Sequence, residues 1–511
     1  MPEQGFNNLH LTFLLPFVWE GEDFHRKLLC NKYWKLVPPP HESLAPDIHD
    51  ADKKKRLWFN ERQYFYPSVR AALYYDGDDV ESVVREYAYR AGEAGTYAIR
   101  KNGDDAHKLD CELSLNSIRL KLYHEKTGKV GILSYSLRYP DHDVDPETAI
   151  KICEYGRRVY LSHIQADGIR PDHCADTLKI SYTKADNPIC EDFAQALDFS
   201  SHVNYLSKTV MDILGEKFIC GQGVPPEEKI SITPVIDDRM FVAVLYKSQT
   251  LVDGLRDGYG TGATFKAFFD DIEAGHEQPL DTWYKLVFVD AGMPTLLDKR
   301  VRLDTIKKHS YTRWIGYGTI YGFTDYSYVT LSTEDMPAYL VDHYNTMYMQ
   351  MITLTLAQRS HLIHYSNRLA ALSKMLAKPE NKSKACVEIT DLQASYIRFL
   401  SQIYHEEATA QEQGIDMYAR LQEALSVPAY IKAVENHLDK LNGLASGFIN
   451  QKTEMLLSLV AAASLLGGGF QVLSAADWFK CLATSITGSV ISLGGVAAFI
   501  WFLHLYFKNR K

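Results

Sequence analysis

The period of the hydrophobic pattern changes along the chain. Over residues 1–335, alternating or aromatic runs predict strands at Leu9–Trp19, Glu112–Tyr123 and Val130–Arg138. Five more follow at Lys229–Val235, Met240–Lys247, Tyr284–Asp290, Trp314–Tyr321 and Tyr326–Leu331, while Pro146–Tyr160 reads as helical. Turn signals such as Lys126-Thr127-Gly128-Lys129 separate the runs. This is the pattern of an α/β domain, 1–335, in two lobes divided near residue 225. From Met336 the chain turns helical. Met336–Lys378 has no Gly and no Pro after Pro337, the polar Pro379–Lys384 breaks it, and Ala385–Ser426, with an internal Gly414, resumes it. Pro428 suits the first turn of a third helix, which would reach about 65 Å by Phe470. Residues 336–454 therefore read as a helical stalk.

The last sixty residues depart from this pattern. Met455–Ala476 holds 22 residues without a formal charge, and Cys481–Phe507 holds 27 more. Each exceeds the about 20 apolar residues that cross a bilayer, so 455–476 and 481–507 are expected to be two transmembrane helices joined by Asp477-Trp478-Phe479-Lys480. Lys440 and Lys452 before the first run and the basic tail 508–511 place both termini on the cytoplasmic side of a bacterial inner membrane. Ser446, Asn450, Thr453, Leu457, Val460, Ser464 and Gly467 recur at steps of 3 and 4, a single heptad seam. In a ring of copies that seam would line a pore, with Leu457 and Val460 as its apolar constriction and Gly467, Gly468, Gly469 and Asp477 at the outer mouth. Close helix packing is the plain alternative for the same small residues.

Composition narrows the class. At 511 residues the chain exceeds one ordinary core, and 46% hydrophobic with 23% charged residues excludes a largely disordered, collagen-like or polytopic membrane chain. A net charge of -9 argues against a protein that coats a nucleic-acid polymer. The three cations of the tail leave -12 on residues 1–454. The eight cysteines show no CxxC pair and read as reduced thiols. The early apolar run Leu9–Trp19 has no basic residue before it and contains Pro16, so it is not a secretory signal.

An α/β domain, a long helical stalk, two C-terminal spans with a short loop and a basic tail resemble the CorA family of divalent-cation channels. Family members end the first span with Gly-Met-Asn, often followed by Phe; here the stretch is Gly467-Gly468-Gly469-Phe470. The resemblance implies a CorA-like homo-oligomer, a pentamer, acting as an ion channel without enzymatic activity and without a covalent cofactor, with magnesium as a candidate ion. The replaced asparagine and the large soluble domain are similar to the CorA-like proteins found beside type III CRISPR systems. For those, a nucleotide messenger, in some systems adenylated S-adenosylmethionine, is the implied ligand and antiviral defence the implied role. A housekeeping magnesium transporter and a membrane-tethered enzyme are the alternatives.

A nucleotide sensor needs cations for phosphate and aromatic faces for the base. Two segments combine them. Arg56, Trp58, Arg62, Tyr64 and Arg70 form the first, and Arg300, Arg302, Lys307, Lys308, Arg313 and Trp314 the second. A solvated face with packed aromatics is the alternative for both. Gly258-Tyr259-Gly260-Thr261-Gly262 lacks the phosphate-loop lysine and reads as a loop. Asp76-Gly77-Asp78-Asp79 and Asp141-His142-Asp143-Val144-Asp145 fall short of a calcium loop, and no metal ligand set is assigned.

Overall fold

The computed structural model describes residues 8–37, 51–75, 77, 82–104, 107–140, 143–161, 173–183, 187–193, 205–221, 225–266, 277–292 and 294–475. The strands are β1 (Leu9–Glu20), β2 (Trp34–Leu36), β3 (Val84–Tyr89), β4 (Gly95–Lys101), β5 (Leu109–Tyr123), β6 (Val130–Arg138), β7 (Thr177–Tyr182) and β8 (Ile189–Asp192). After them come β9 (Phe218–Cys220), β10 (Ile230–Pro234), β11 (Phe241–Lys247), β12 (Arg256–Asp257), β13 (Thr264–Phe265), β14 (Ser310–Tyr311), β15 (Thr319–Phe323) and β16 (Ser327–Ser332). The helices are α1 (Phe24–Leu28), α2 (Ala51–Tyr64), α3 (Pro67–Leu73), α4 (Pro146–Gly156), α5 (Lys208–Leu214), α6 (Gln249–Leu255) and α7 (Glu277–Phe288). They continue with α8 (Lys299–His309), α9 (Ala338–His343), α10 (Met349–Leu376), α11 (Lys382–Gln402), α12 (Glu412–Ala424) and α13 (Val427–Ala475).

Among the described residues, one 14-stranded mixed sheet runs β14-β15-β16-β11-β1-β6-β5-β4-β7-β8, with β10 on β1, β9 on β10, β3 on β5 and β2 on β3. The sheet is continuous across residue 225. Its centre is β1, whose nearly unbroken apolar run is what a strand buried on both faces requires. Along one edge β1 pairs β6; along the other it pairs β11 through Leu14 and β10 from Phe17. Pro16 sits where that second edge changes partner, so its missing N–H costs no ladder bond, and its carbonyl still accepts from the Val235 amide. Likewise β5 pairs β4 and then β3, with a register shift between Leu115 and Ser117. The forked sheet carries the main hydrophobic core, closed by residues of α1, α4, α5, α6 and α7.

The chain divides into two compact units, one of Met1–His364 with Ser395–Ile431 and one of Tyr365–Ala394 with Lys432–Lys511. In the second, Val434, Leu438, Leu441 and Ala445 form the buried seam of α13, and Lys382 lies 5.3 Å from the Phe448 ring.

Three expectations change. Trp314–Tyr321 is extended only from Thr319, because Ile315–Tyr317 form a 3-10 turn that Gly318 closes at φ 75°. Tyr284–Asp290 is not a strand: Leu280, Trp283, Tyr284 and Val287 are buried at helical spacing in α7. The membrane-crossing C-terminal helices are also corrected, because no helix among the described residues is long and apolar enough to cross a membrane. The first apolar run ends α13, a 49-residue helix charged at Lys452 and Glu454. The second run, the loop with Asp477 and the basic tail lie outside the described residues. The inner-membrane location and the membrane-channel description rested on those spans and are corrected with them.

Candidate functional site

Where β1 and β5 end and β3 begins, a cavity of about 210 Å³ is lined by Trp19, Asp23, Phe24, His25, Arg26, Ser82, Arg85, Leu122, Tyr123 and His124. Strand register brings the lining together: Val84 pairs Tyr123 and Arg85 pairs Leu122 across β3 and β5. The turn from β1 into α1 forms the opposite wall. It passes through Gly21 at φ 112°, where a Cβ would lie 2.9 Å from the Lys229 carbonyl, and Asp23 at φ 59°. Lys129 pins this turn to the β5–β6 turn, with its Nζ 2.8 Å from the Gly21 carbonyl and 2.9 Å from the Glu22 carboxylate. Trp19 and Phe24 meet edge to face at 4.8 Å, and Phe24 packs on Phe218 at 5.0 Å.

The polar lining consists mostly of hydrogen-bond donors. Trp19 and Tyr123 are 2% and 1% exposed, and the indole Nε1 and the phenol oxygen have no partner among the described residues. A buried indole N–H or phenol normally finds one. His124 accepts the Lys126 backbone N–H at Nδ1 over 3.1 Å, so Nε2 carries the ring proton. Burial, reinforced by Lys126, Arg85 and Arg398, holds this histidine below its ordinary value, in the neutral form. Arg26 and Arg85 add two guanidinium groups. Asp23 is the one carboxylate in the lining, and it is exposed. The Ser82 hydroxyl donates to the Val84 carbonyl at 3.2 Å, so it is a structural donor and not a poised nucleophile. The lining thus sets cations and donors beside aromatic faces.

None of the residues singled out from the sequence lines this cavity. On α2, Arg56 is exposed and Arg62 lies over the rings of Trp58 and Tyr74 at 5.2 and 5.3 Å. Tyr64 packs edge to face on Phe65, and Arg70 donates to the Phe65 carbonyl at 3.1 Å. On α8, Arg302 pairs with Asp281 at 2.8 Å, and Arg300, Lys307 and Lys308 lie along the same helix. Arg313 is held by Glu412 and Asp416, and Trp314 packs on Tyr317 at 5.7 Å. Arg62, Arg70, Arg302 and Arg313 thus answer carboxylates, carbonyls or rings of the fold. Along α13, Ser446, Asn450, Thr453, Leu457, Val460 and Ser464 are exposed, and the Thr453 and Ser464 hydroxyls bond carbonyls of their own helix. Gly467, Gly468 and Gly469 fall within the same helix. Asp76, Asp78, Asp79, Asp141 and His142 lie outside the described residues, and Asp145 caps α4.

One titratable group on α2 itself has a measurable consequence. Glu61 is buried and accepts from Tyr74 at 2.9 Å and from Gln350 at 2.8 Å. Burial pushes its carboxyl from 4.5 up to about 6, against the pull of Tyr74, Gln350 and Lys121. The folded protein holds this proton more tightly than the unfolded chain does. The contribution is therefore complete below 4.5 and lost as pH rises through about 6. Urea melts of wild type and Glu61→Gln should diverge by about 2 kcal/mol between pH 4.5 and 7, with wild type the one that loses stability.

Among the described residues, no group of three or more His, Cys, Asp or Glu side chains is placed to hold a metal ion. No family model, curated protein or solved structure matches the chain.

Proposed function

We propose that the chain is a ligand sensor whose cavity binds a small anionic ligand with an aromatic ring, of the mononucleotide class, without converting it. The observation that carries this reading is the convergence of Arg26, Arg85 and the Nε2–H of His124 on a cavity walled by the aromatic side chains of Trp19 and Tyr123. In this arrangement the ring enters against the aromatic side chains of Trp19 and Tyr123. The phosphate stays near the mouth with Arg26, Arg85 and the Nε2–H of His124. The volume of about 210 Å³ lies below the about 300–1,000 Å³ of sites that enclose a whole drug-sized ligand, so the cavity takes one end and leaves the rest in solvent. A nucleotide ligand is the part of the CorA-like resemblance to which the cavity lends support.

The test is thermal unfolding of the full chain with adenosine 5′-monophosphate, adenosine and inorganic phosphate in parallel. AMP should raise Tm more than either part alone, because ring and anion are held by different walls. No shift with AMP, or an equal shift with adenosine, overturns the reading.

A further inference from the structure

The turn after β5 begins at a cavity residue, His124, and ends at Thr127, a buried threonine whose hydroxyl has two acceptors in range. Its Oγ1 lies 2.6 Å from the His124 backbone carbonyl and 3.3 Å from Nε2 of His361. His361 is fully buried on α10. Its Nδ1 is 2.8 Å from the Ala357 carbonyl, which only accepts, so Nδ1 carries the ring proton. Burial pushes this imidazole down to about 3, so it is neutral and Nε2 is an acceptor. One hydroxyl proton serves one of these acceptors at a time, and the shorter bond here goes to His124.

We infer that ligand binding in the cavity transfers the Thr127 hydroxyl bond from the His124 carbonyl to Nε2 of His361, carrying occupancy of the cavity to α10 and α11. This rests on the cavity being the ligand site proposed above. Two contacts favour the route. The ring of Tyr123, a cavity wall, meets the His361 ring edge-on at 5.6 Å. On its other side His361 stacks on Phe399 of α11 at 5.4 Å. A phosphate held by His124 draws that residue toward the mouth and lengthens the bond to its carbonyl, while a ring against Tyr123 bears on the same imidazole. The ligand shifts this two-state bond only by its difference in affinity between the two arrangements, and such couplings amount to factors of about 5–150.

Hydrogen-exchange mass spectrometry on the full chain tests this, with saturating AMP and the variants Thr127→Ser and Thr127→Val. In wild type and Thr127→Ser, AMP should slow exchange in α10 peptides covering His361 by about fivefold or more. In Thr127→Val the protection should vanish while calorimetry still shows AMP bound. If Thr127→Val protects α10 as wild type does, the relay is overturned and the ligand reading stands. If wild type fails to bind AMP, that reading falls and takes the relay with it. Should Thr127→Val not fold, His361→Phe keeps the ring stack and removes the acceptor, and the same loss of protection is expected; retained protection overturns the relay.

Discussion

Glu154→Ala is expected to cost the fold about 3–5 kcal/mol, read as a lower urea midpoint at pH 7. Glu154 lies in the last turn of α4, inside a buried ion cluster. Its carboxylate bonds Arg157 at 2.6 Å and also Arg158, and Arg158 bonds Asp238 at 2.5 Å. Arg157 further donates to the carbonyl of Val289 at 3.3 Å, and Val289 is held at φ 52°, a costly conformation for a β-branched residue. Removing the carboxylate leaves two guanidinium groups buried with Asp238 as the nearest remaining anion, and an uncompensated buried charge is what makes such deletions expensive. The pH dependence separates this group from Glu61. Burial opposes ionisation of Glu154, but Arg157 and Arg158 outweigh it and hold the carboxyl below its ordinary 4.5. Its contribution is thus present above the unfolded value and lost as pH falls through the lower folded one. Wild type should lose its advantage over Glu154→Ala in acid, the reverse of the Glu61 behaviour. A difference that stays constant down to pH 3, or one below about 1 kcal/mol at pH 7, would contradict a paired, buried carboxylate.

The second large effect falls on ligand affinity. Arg85→Ala should weaken AMP binding by about 10- to 100-fold, the 1.5–3 kcal/mol of a hydrogen bond to a charged group. Arg85 is half-buried on β3 beside Leu122, where a guanidinium can grip phosphate oxygens in pairs. Arg85→Lys should therefore recover only part of the loss. Calorimetry on the two variants and wild type checks this. Equal affinities for all three would remove Arg85 from the site.

Much of the fold was legible in the pattern of residues, and the reasons differ by element. Strands β1, β5 and β6 form where apolar runs and alternation place them, because each buries at least one face. α10 and α11 follow from stretches free of Gly and Pro, α12 and α13 form through Gly414, Gly443 and Gly447, and Pro428 stands at the second residue of α13. Tyr284–Asp290 misled because its short apolar run fits either period, and only the upstream Leu280 and Trp283 reveal the helical one. The division near residue 225 was invisible as a join: it takes the pairing of β10 and β11 with β1 to make one sheet. The cavity was not legible at all. Its lining comes from β1, α1, β3 and the end of β5, no one segment is dense in cations, and register alone brings Arg85 beside Leu122. The dense runs at α2 and α8 drew attention, yet Arg302 and Arg313 answer carboxylates of the same unit. The apolar C-terminal runs suggested membrane spans that no helix among the described residues supplies.

Photolabelling tests the central claim most directly. The full chain is irradiated with 8-azido-AMP, with and without excess AMP, and the modified peptides are mapped. The account predicts AMP-protectable label on peptides carrying Trp19 to Arg26 and Leu122 to His124, which wall the cavity. Protectable label confined to the α2 segment with Arg56 and Trp58, or to the α8 segment from Arg300 to Trp314, would contradict it.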